Sequence, residues 1–274
     1  SIVTGLRADY YSTISALTLD PSVTVLYRPA EGTVLSAALG LYQQPPSRRQ
    51  SETSPDLDPA RAIHGSVGVE QRLFSDALSL SVTGFYKPLS ALSSRNPLAA
   101  YDPTAAPLLS EGSGRIGGVE VLLRARFGDW LSGWIAYTYS RSLRTDPLTG
   151  EERPFDVDQP HNLTVVARSE LGRGFSASLR FRLVSGTPVT PVVGCVYDSA
   201  TDTYVPQYGE TNSDRLALFH QLDLRIDWTR AFDLWRLSIY LDVQNVYNRQ
   251  NEIGQSFNYD YSEVTPTGCC FVLP

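Results

Sequence analysis

The chain has 274 residues, of which 42% are hydrophobic, and its 23 basic and 29 acidic residues give a formal net charge of −6. The basic residues form no run, so the electrostatic footprint of a nucleic-acid-binding protein is absent, and no nucleic acid is expected as a partner. The longest apolar runs are far shorter than the roughly 18 residues that a transmembrane helix needs. Any crossing of a membrane would therefore use β-strands.

Alternating apolar and polar residues predict eleven strands along the chain. A polar connection at Asp20-Pro21 is predicted to join the first two strands. The predicted strands are Ile2–Tyr11, Ser22–Pro29, Thr33–Gln44, Arg61–Phe74, Leu78–Lys87, Ile116–Phe127, Leu131–Ser142, His161–Glu170, Phe175–Val184 and the two strands of segment 215–250.

The segment 215–250 has the clearest pattern. Side chains alternate across a strand, so its residues divide into an apolar face and a charged face on both sides of the turn at 231–233. Each strand is about ten residues long, the length that crosses a bilayer when the strand is tilted. The strands of a soluble β-sandwich also alternate between apolar and polar side chains, so this segment alone fits either a β-sandwich or a membrane barrel. In the first strand the apolar face carries Leu218, Leu222, Leu224, Ile226 and Trp228, and the other carries Gln221, Asp223, Arg225 and Asp227.

Short and long connections alternate along the chain, which distinguishes the two folds. Short turns are predicted at 30–32, 75–76, 128–129, 171–174 and 231–233, and long loops at 45–60, 88–112, 143–159, 185–214 and after 248. An outer-membrane barrel has short periplasmic turns and long external loops, with aromatic girdles that suit the 15 Tyr, 10 Phe and 4 Trp of this chain. The predicted fold class is therefore all-β, an antiparallel transmembrane β-barrel in contact with outer-membrane lipid.

Bacterial barrels of this type have an even number of strands, so eleven strands suggest that at least one is missing. The segment after residue 248 is predicted as an external loop that stops before a final strand. The alternative is that FNYDYSEV, residues 257–264, forms a twelfth strand and closes a small barrel.

Charged residues recur on the inward face of the predicted strands. They are expected chiefly to pair across strands and hold the wall, and the less favoured interpretation is that they guide a substrate. These residues are Glu70, Arg72, Glu120, Arg124, Arg126, Arg180, Arg182, Asp223, Arg225, Asp227, Arg236 and Asp242.

Binding residues are expected on the long loops, because a rigid barrel positions variable external segments. Tyr197, Tyr204 and Tyr208 lie in one such loop, next to several acidic residues, and this mixture suits an aromatic or polar ligand. Arg48 and Arg49 in the first long loop are candidates for contact with an anionic substrate.

No catalytic, cofactor or metal site is predicted. The sequence contains no Gly-x-Ser-x-Gly motif for a nucleophile and no Cys-x-x-Cys motif for a metal. His64, His161 and His220 are isolated in sequence and are interpreted as structural residues. The protein is therefore not expected to be an enzyme.

Several segments resemble a known family. They include SVTVLYRP, HGSVGVEQRL, GVEVLLRARFGDWLSGWIAYTYSRS and, most specifically, HQLDLRIDWTRAF followed by LSIYLDVQNVYNRQN. The chain resembles the C-terminal barrel half of TonB-dependent outer-membrane receptors, which take up ferric siderophores, cobalamin and some saccharides. The resemblance covers most of the chain.

The resemblance implies a barrel of about 22 strands, of which residues 1–274 would form an incomplete part with 11–12 strands. It also implies a small-molecule or chelated-metal substrate and uptake driven by the TonB complex. Neither a plug domain nor the family's closing strand corresponds to any part of this sequence, so both are expected from missing regions or another chain. The alternative function is a passive porin or a structural barrel subunit.

The three cysteines all fall in segments predicted to lie outside the membrane. Disulfides persist at cell surfaces. We therefore predict that Cys195 bonds to Cys269 or Cys270 and links the long loop to the last one.

Overall fold

The structure is a computed structural model that describes residues 1–74 and 76–269, without the side chain of residue 269. Its secondary structure is almost entirely β. One α-helix, α1 (Arg48–Thr53), and one 3₁₀ turn, Pro97–Ala100, occur among the described residues. The strands are β1 (Ile2–Tyr11), β2 (Ala16–Ala30), β3 (Thr33–Gln44), β4 (Ala60–Leu73), β5 (Leu78–Arg95), β6 (Leu108–Phe127), β7 (Leu131–Thr145), β8 (Glu152–Pro154), β9 (His161–Gly172), β10 (Phe175–Val184), β11 (Pro188–Val189), β12 (Val192–Asp198), β13 (Thr203–Tyr208), β14 (Asp214–Arg215), β15 (Phe219–Ala231), β16 (Arg236–Val243), β17 (Asn251–Phe257) and β18 (Val264–Cys269).

Within the described residues, the main sheet has twelve strands, and their hydrogen-bonded order follows the chain: β1-β2-β3-β4-β5-β6-β7-β9-β10-β15-β16, with β8 paired to β7. The eleven strands of the continuous path correspond to the eleven predicted strands. Side chains two residues apart lie on the same face of a strand, so a one-residue shift in the pairing would move every apolar side chain to the polar face. The prediction of an all-β antiparallel sheet is confirmed.

The chain divides into two compact units. The first unit contains residues 1–70, 83–119 and 140–155, and the second contains residues 71–82, 120–139 and 156 onward. In the first unit, β1 pairs antiparallel with β2 along its whole length, from Ile2 opposite Val25 to Tyr11 opposite Ala16. In the second unit, β10 pairs with β9 on one side and with β15 on the other, and β15 pairs with β16.

Burial in this sheet is the reverse of that in a soluble domain. Among the described residues, only Leu57 and Leu216 are buried large apolar side chains, whereas Leu6, Val67 and Leu241 are between 63% and 73% exposed. Buried positions are held instead by polar groups such as Gln221 and Asp223. Because an apolar face of this size does not stay in water, the outward side chains match a hydrocarbon environment.

The first connection differs from its prediction. The turn lies at residues 12–15, and Asp20 and Pro21 are inside β2, where Pro21 faces Leu6. Proline interrupts strands because it lacks an N–H donor. The described pairing of β2 with β3 begins only at Ser22, so Pro21 is not required to donate toward β3.

Two long loops are shorter than predicted because the strands on either side extend further. β5 continues to Arg95 and β6 begins at Leu108, although Ala91 adopts a left-handed φ of 54° that breaks the regular pattern. The loop after β7 contains β8, which pairs with the end of β7. The loop predicted at 45–60 contains α1, whose start has a capping box between Ser47 and Gln50.

The last two predicted loops contain their own small sheets. Within 185–218, β11 pairs with β14, and β12 pairs with β13 to form the β12–β13 hairpin. After residue 248, β17 and β18 pair only with each other to form the β17–β18 hairpin. The segment predicted as an external loop therefore contains a hairpin of its own. The alternative of a twelfth strand in the main sheet is wrong for the described residues, because 257–264 form the turn of this separate hairpin.

Candidate functional site

The β12–β13 hairpin places two of the predicted binding residues opposite each other. Tyr197 on β12 is in register with Tyr204 on β13, and the centroids of their rings are 5.3 Å apart. Cross-strand aromatic pairs stabilise a hairpin that has little core of its own. Asp198 tightens the turn between the strands, because its carboxylate accepts hydrogen bonds from the Ala200 N–H and the Thr201 hydroxyl, both at 2.9 Å.

The turn of the β17–β18 hairpin brings further aromatic rings to the same place. The ring of Tyr259 lies edge-on to that of Tyr204, with 6.0 Å between the centroids. Phe257 and Tyr261 form a second tilted pair at 5.7 Å. The Cys195 thiol on β12 donates a hydrogen bond to the carbonyl oxygen of Asp260 at 3.0 Å, which links the two hairpins directly.

The two hairpins enclose an open cleft of about 670 Å³. This volume falls within the range of small-molecule sites. Five of its lining side chains are aromatic, and the others are polar or acidic. The lining residues are Tyr197, Asp202, Thr203, Tyr204, Gln255, Ser256, Phe257, Asn258, Tyr259 and Tyr261.

Hydrogen bonds set the ionisation of the groups in and beside the cleft. The Tyr197 hydroxyl donates to Asp202 Oδ1 at 2.6 Å, and this bond raises the pKa of Tyr197. The pKa of Asp198 is lowered chiefly by the hydrogen bond from the Ala200 N–H. The pKa of Asp260 is lowered chiefly by the Ser262 hydroxyl. At neutral pH the tyrosine is therefore uncharged and both carboxylates are ionised.

A buried ion pair anchors the base of the segment that carries the β12–β13 hairpin. Arg215 on β14 donates to the Asp158 carboxylate at 2.5 Å and to the Gly186 carbonyl at 3.2 Å. Asp158 is 2% exposed. Nearby, the Asn212 amide donates to Asp156 at 2.7 Å. These bonds hold both ends of the segment and so position the cleft.

The predicted site residues are only partly brought together. Tyr197 and Tyr204 line the cleft, but Tyr208 is 64% exposed on the same hairpin and is not among the lining residues. Arg48 and Arg49 lie on α1 in the first unit, where both are exposed and Arg48 pairs with Glu52 at 2.9 Å. Their role in substrate contact remains a prediction.

The predicted disulfide is not tested by the structure. Cys195 is the one cysteine whose side chain the structure describes, and its thiol contacts the carbonyl oxygen of Asp260. Cys270 lies outside the described residues, and the side chain of Cys269 is not described. The pairing therefore stays a prediction, and alkylation of the non-reduced protein tests it, because three reactive thiols would contradict it.

The charged face of the second unit is a network of paired side chains, in line with the structural interpretation of the inward charges. Asp223 accepts hydrogen bonds from Arg180 at 2.7 Å, from Gln221 at 2.6 Å and from the backbone of Asn245 at 2.9 Å. Arg225 pairs with Asp227 on the same strand at 2.7 Å and lies 3.9 Å from Asp242 on β16. Opposite charges on neighbouring strands stabilise the sheet locally.

The three histidines have aromatic neighbours. His161 and His220 each share a 2.8 Å hydrogen bond with a tyrosine hydroxyl, that of Tyr137 and that of Tyr247 respectively. His64 lies between the rings of Tyr42 and Phe85. Within residues 1–74 and 76–269, no group of three or more His, Cys, Asp and Glu side chains is arranged to hold a metal ion.

The aromatic residues of the β17–β18 hairpin were missed by sequence reasoning. The sequence predicts an external loop here and assigns it no binding role, although residues 257–261 contain three aromatic residues in five positions. Aromatic density in an external segment was the available signal. Its pairing with the β12–β13 hairpin could not be inferred, since the two segments are about 60 residues apart in sequence.

An antiparallel sheet with an apolar outer face, a charged inner face and structured segments at its strand ends defines an outer-membrane β-barrel protein. A family model described as TonB dependent receptor-like, beta-barrel matches residues 1–246. The chain belongs to this family, which consists of outer-membrane transport receptors rather than enzymes. No helix among the described residues is long and apolar enough to span a membrane.

Solved structures with similar folds include three iron receptors. The ferric-catecholate import receptor Fiu from E. coli K12 has a TM-score of 0.65 and 16% identity over 93% of this chain and 34% of its own. The ferripyoverdine receptor of the Pseudomonas aeruginosa outer membrane has a TM-score of 0.65 and 13% identity, covering 92% and 31%. The FrpB iron transporter from Neisseria meningitidis has a TM-score of 0.62 and 15% identity, covering 86% and 36%.

The chain thus spans about a third of the length of these structures. No curated protein matches it by sequence. The family match ends at residue 246, so the half of the cleft that comes from the β17–β18 hairpin lies beyond it. The family match therefore covers the wall and the β12–β13 half of the cleft, but not the β17–β18 half.

Proposed function

We propose that this chain is the barrel segment of an outer-membrane receptor that actively takes up a scarce solute such as a ferric siderophore. The observation that carries the proposal is an aromatic cleft of ligand size on the hairpins of a barrel that belongs to the TonB-dependent family. Three structural neighbours are a ferric-catecholate import receptor, a ferripyoverdine receptor and an iron transporter. In this proposal the protein catalyses no reaction.

The proposed mechanism begins with capture of the solute at the external cleft. The TonB complex would then drive rearrangement of a plug domain that residues 1–274 do not include, and the solute would pass through the barrel. The rigid charged wall contributes the frame in this scheme: pairs such as Arg180 with Asp223 hold neighbouring strands together. Because the barrel wall is a rigid frame, the external segments can differ in sequence and in ligand preference while the fold stays the same.

Uptake measurements on the full-length protein in its native cells test this function. Cells with and without the gene would be given radioactive iron bound to each of several siderophores, and the same cells would be assayed after the proton gradient is collapsed. We expect at least one solute to accumulate only in cells that carry the gene and an intact gradient. Uptake that persists without the gradient would instead support the passive porin.

A further inference from the structure

Among the residues that the structure describes, the lining of the cleft contains five aromatic rings and one carboxylate, Asp202, but no lysine, arginine or histidine. Sites that bind carboxylate- or phosphate-bearing ligands normally supply arginine or lysine donors, often in bidentate geometry. A ligand with several negative charges would therefore enter this cleft without a compensating cation.

The segments that build the cleft are acidic as a whole. Residues 185–218 and 244–269 contain seven acidic and two basic residues. Arg215, one of the two basic residues, is bound to the buried Asp158, and neither Arg215 nor Arg249 lines the cleft. Asp198 and Asp260 have lowered pKa values and remain ionised near the cleft at neutral pH. Clustered charge of one sign raises the local concentration of the opposite charge.

The aromatic rings supply a second, independent attraction for cations. Tyr259 is 80% exposed, and Tyr197 is 51% exposed. Because the Tyr204 and Tyr259 rings meet edge to face at 72°, they present faces in different directions around the opening. An ammonium group or a cationic chelate near such faces is attracted by the ring quadrupole.

From this lining we infer that the cleft binds a positively charged ligand that carries an alkylammonium group or an aromatic ring, and discriminates against polyanionic chelates. The inference rests on the proposed function, since it names the class of solute that the receptor would take up. Rings provide contact area, and the acidic surroundings provide the preference for positive charge.

Titration calorimetry on the purified full-length protein in a non-ionic detergent tests the inference. Benzyltrimethylammonium, phenylacetate and benzyl alcohol serve as cationic, anionic and neutral probes that share one ring. We expect the cation to bind about 10-fold more tightly than the anion at low salt, with a smaller difference at high salt. Equal or tighter binding of phenylacetate, or no binding of the cation, would overturn the inference.

Three Tyr→Leu variants, two inside the cleft and one outside it, test whether the cation binds in the cleft. Tyr204→Leu and Tyr259→Leu remove rings from the cleft and are expected to weaken cation binding about 5-fold each. Tyr259 is exposed at a turn, so its substitution tests the site even if Tyr204→Leu disturbs the hairpin. Tyr208→Leu removes an exposed ring on the same hairpin outside the cleft and is expected to change binding by less than about 2-fold. An equal loss in all three variants would place the cation elsewhere.

Asp202→Asn tests the contribution of charge. Asp202 adopts a left-handed φ of 54°, which asparagine also tolerates, so the backbone is preserved. The ratio of cation to anion affinity is expected to decrease. An unchanged ratio in Asp202→Asn would reject the role of its charge. In the unsubstituted protein, gradient-dependent uptake without a preference for the cation would reject the inference alone, whereas a preference for the cation without gradient-dependent uptake would reject the proposed function alone.

Discussion

Asp158 shows how one residue can position a distant surface. Its carboxylate is almost entirely buried and is paired with Arg215, whose backbone begins the return from the outer segment into the main sheet. Taking a carboxylate out of water is costly unless an opposite charge and hydrogen bonds compensate. The pair therefore fixes the base of the segment that carries Tyr197 and Tyr204.

The first prediction concerns this pair. Arg215→Gln is expected to lower the free energy of unfolding by about 2–3 kcal/mol, because it leaves a buried carboxylate without its cation. Urea unfolding in lipid vesicles measures the change. Arg48→Gln is the control, since its pair with Glu52 is exposed on both sides and is expected to contribute less than about 0.5 kcal/mol. Equal effects of the two variants would contradict the assigned role of Asp158.

A second prediction concerns the pH dependence of the β12–β13 turn. The pKa of Asp198 is lowered in the folded turn, so its carboxylate stabilises the turn above the unfolded value of about 4 and the stabilisation is lost as the pH falls through the lower folded pKa. Hydrogen-exchange protection of the Ala200 amide, corrected for intrinsic rates, should be constant at higher pH and decrease in strong acid. Asp198→Asn should show no such step, and a step in both proteins would reject Asp198 as the titrating group.

At the scale of elements, the tight turn between β9 and β10 depends on a glycine. Gly174 has a φ of 82°, and a Cβ atom added there would lie 2.2 Å from the carbonyl oxygen of Thr229 on β15. Only glycine combines this conformation with such a close approach. The turn thus sets the distance between β10 and β15 as well as the reversal of the chain.

The third prediction follows from that approach. Gly174→Ala is expected to destabilise the protein by about 2–3 kcal/mol, because a left-handed backbone and a steric clash add together. Gly150→Ala is a matched control with a similar φ of 73° and open space around the added atom, and it is expected to cost about 1 kcal/mol. Thermal unfolding of both variants compares them, and a larger loss for Gly150→Ala would contradict the clash.

Sequence periodicity predicted the elements of the wall because each wall strand has one face toward lipid and one toward polar groups. The bounds of β1 and β3 are as predicted. Periodicity did not predict the elements outside the wall, where strands no longer have one face toward lipid and one toward polar groups. The β12–β13 hairpin is irregular at Gly194 and contains Pro206, so its residues show no clear alternation. The cleft was half predicted, through Tyr197 and Tyr204, because contacts between distant loops leave no periodic signal.

At the scale of the whole molecule, the exposure of large apolar side chains is a property of the environment rather than a defect. Ile239 is 56% exposed in the middle of β16 and faces Trp228 across the pair, while its neighbour Ser238 points to the other face. The family and the alternation both assign the apolar face to lipid.

The fourth prediction tests that assignment. Ile239→Arg is expected to destabilise the folded protein in lipid vesicles by about 2–4 kcal/mol, because it places a charge in hydrocarbon. Ser238→Arg, one residue away on the polar face, is expected to change the stability by less than about 1 kcal/mol. Urea unfolding of the full-length variants in the same vesicles gives both values. Similar losses at the two positions would mean that the faces are assigned incorrectly.

The β12–β13 and β17–β18 hairpins satisfy their backbone hydrogen bonds within themselves and not on the main sheet. Two side chains of β17 do bond the backbone at or just before the start of β15: Asn251 bonds both the N–H and the carbonyl of His220, and Glu252 accepts from the Ala217 N–H. If these two residues are kept, a change in the rest of the hairpins leaves the strand pairing of the wall untouched. Evolution can replace these hairpins without redesigning the barrel, and a protein engineer can do the same. Exchange of both hairpins as a set, with Cys195 and its acceptor at Asp260 retained, is a route to a transporter with a chosen cargo.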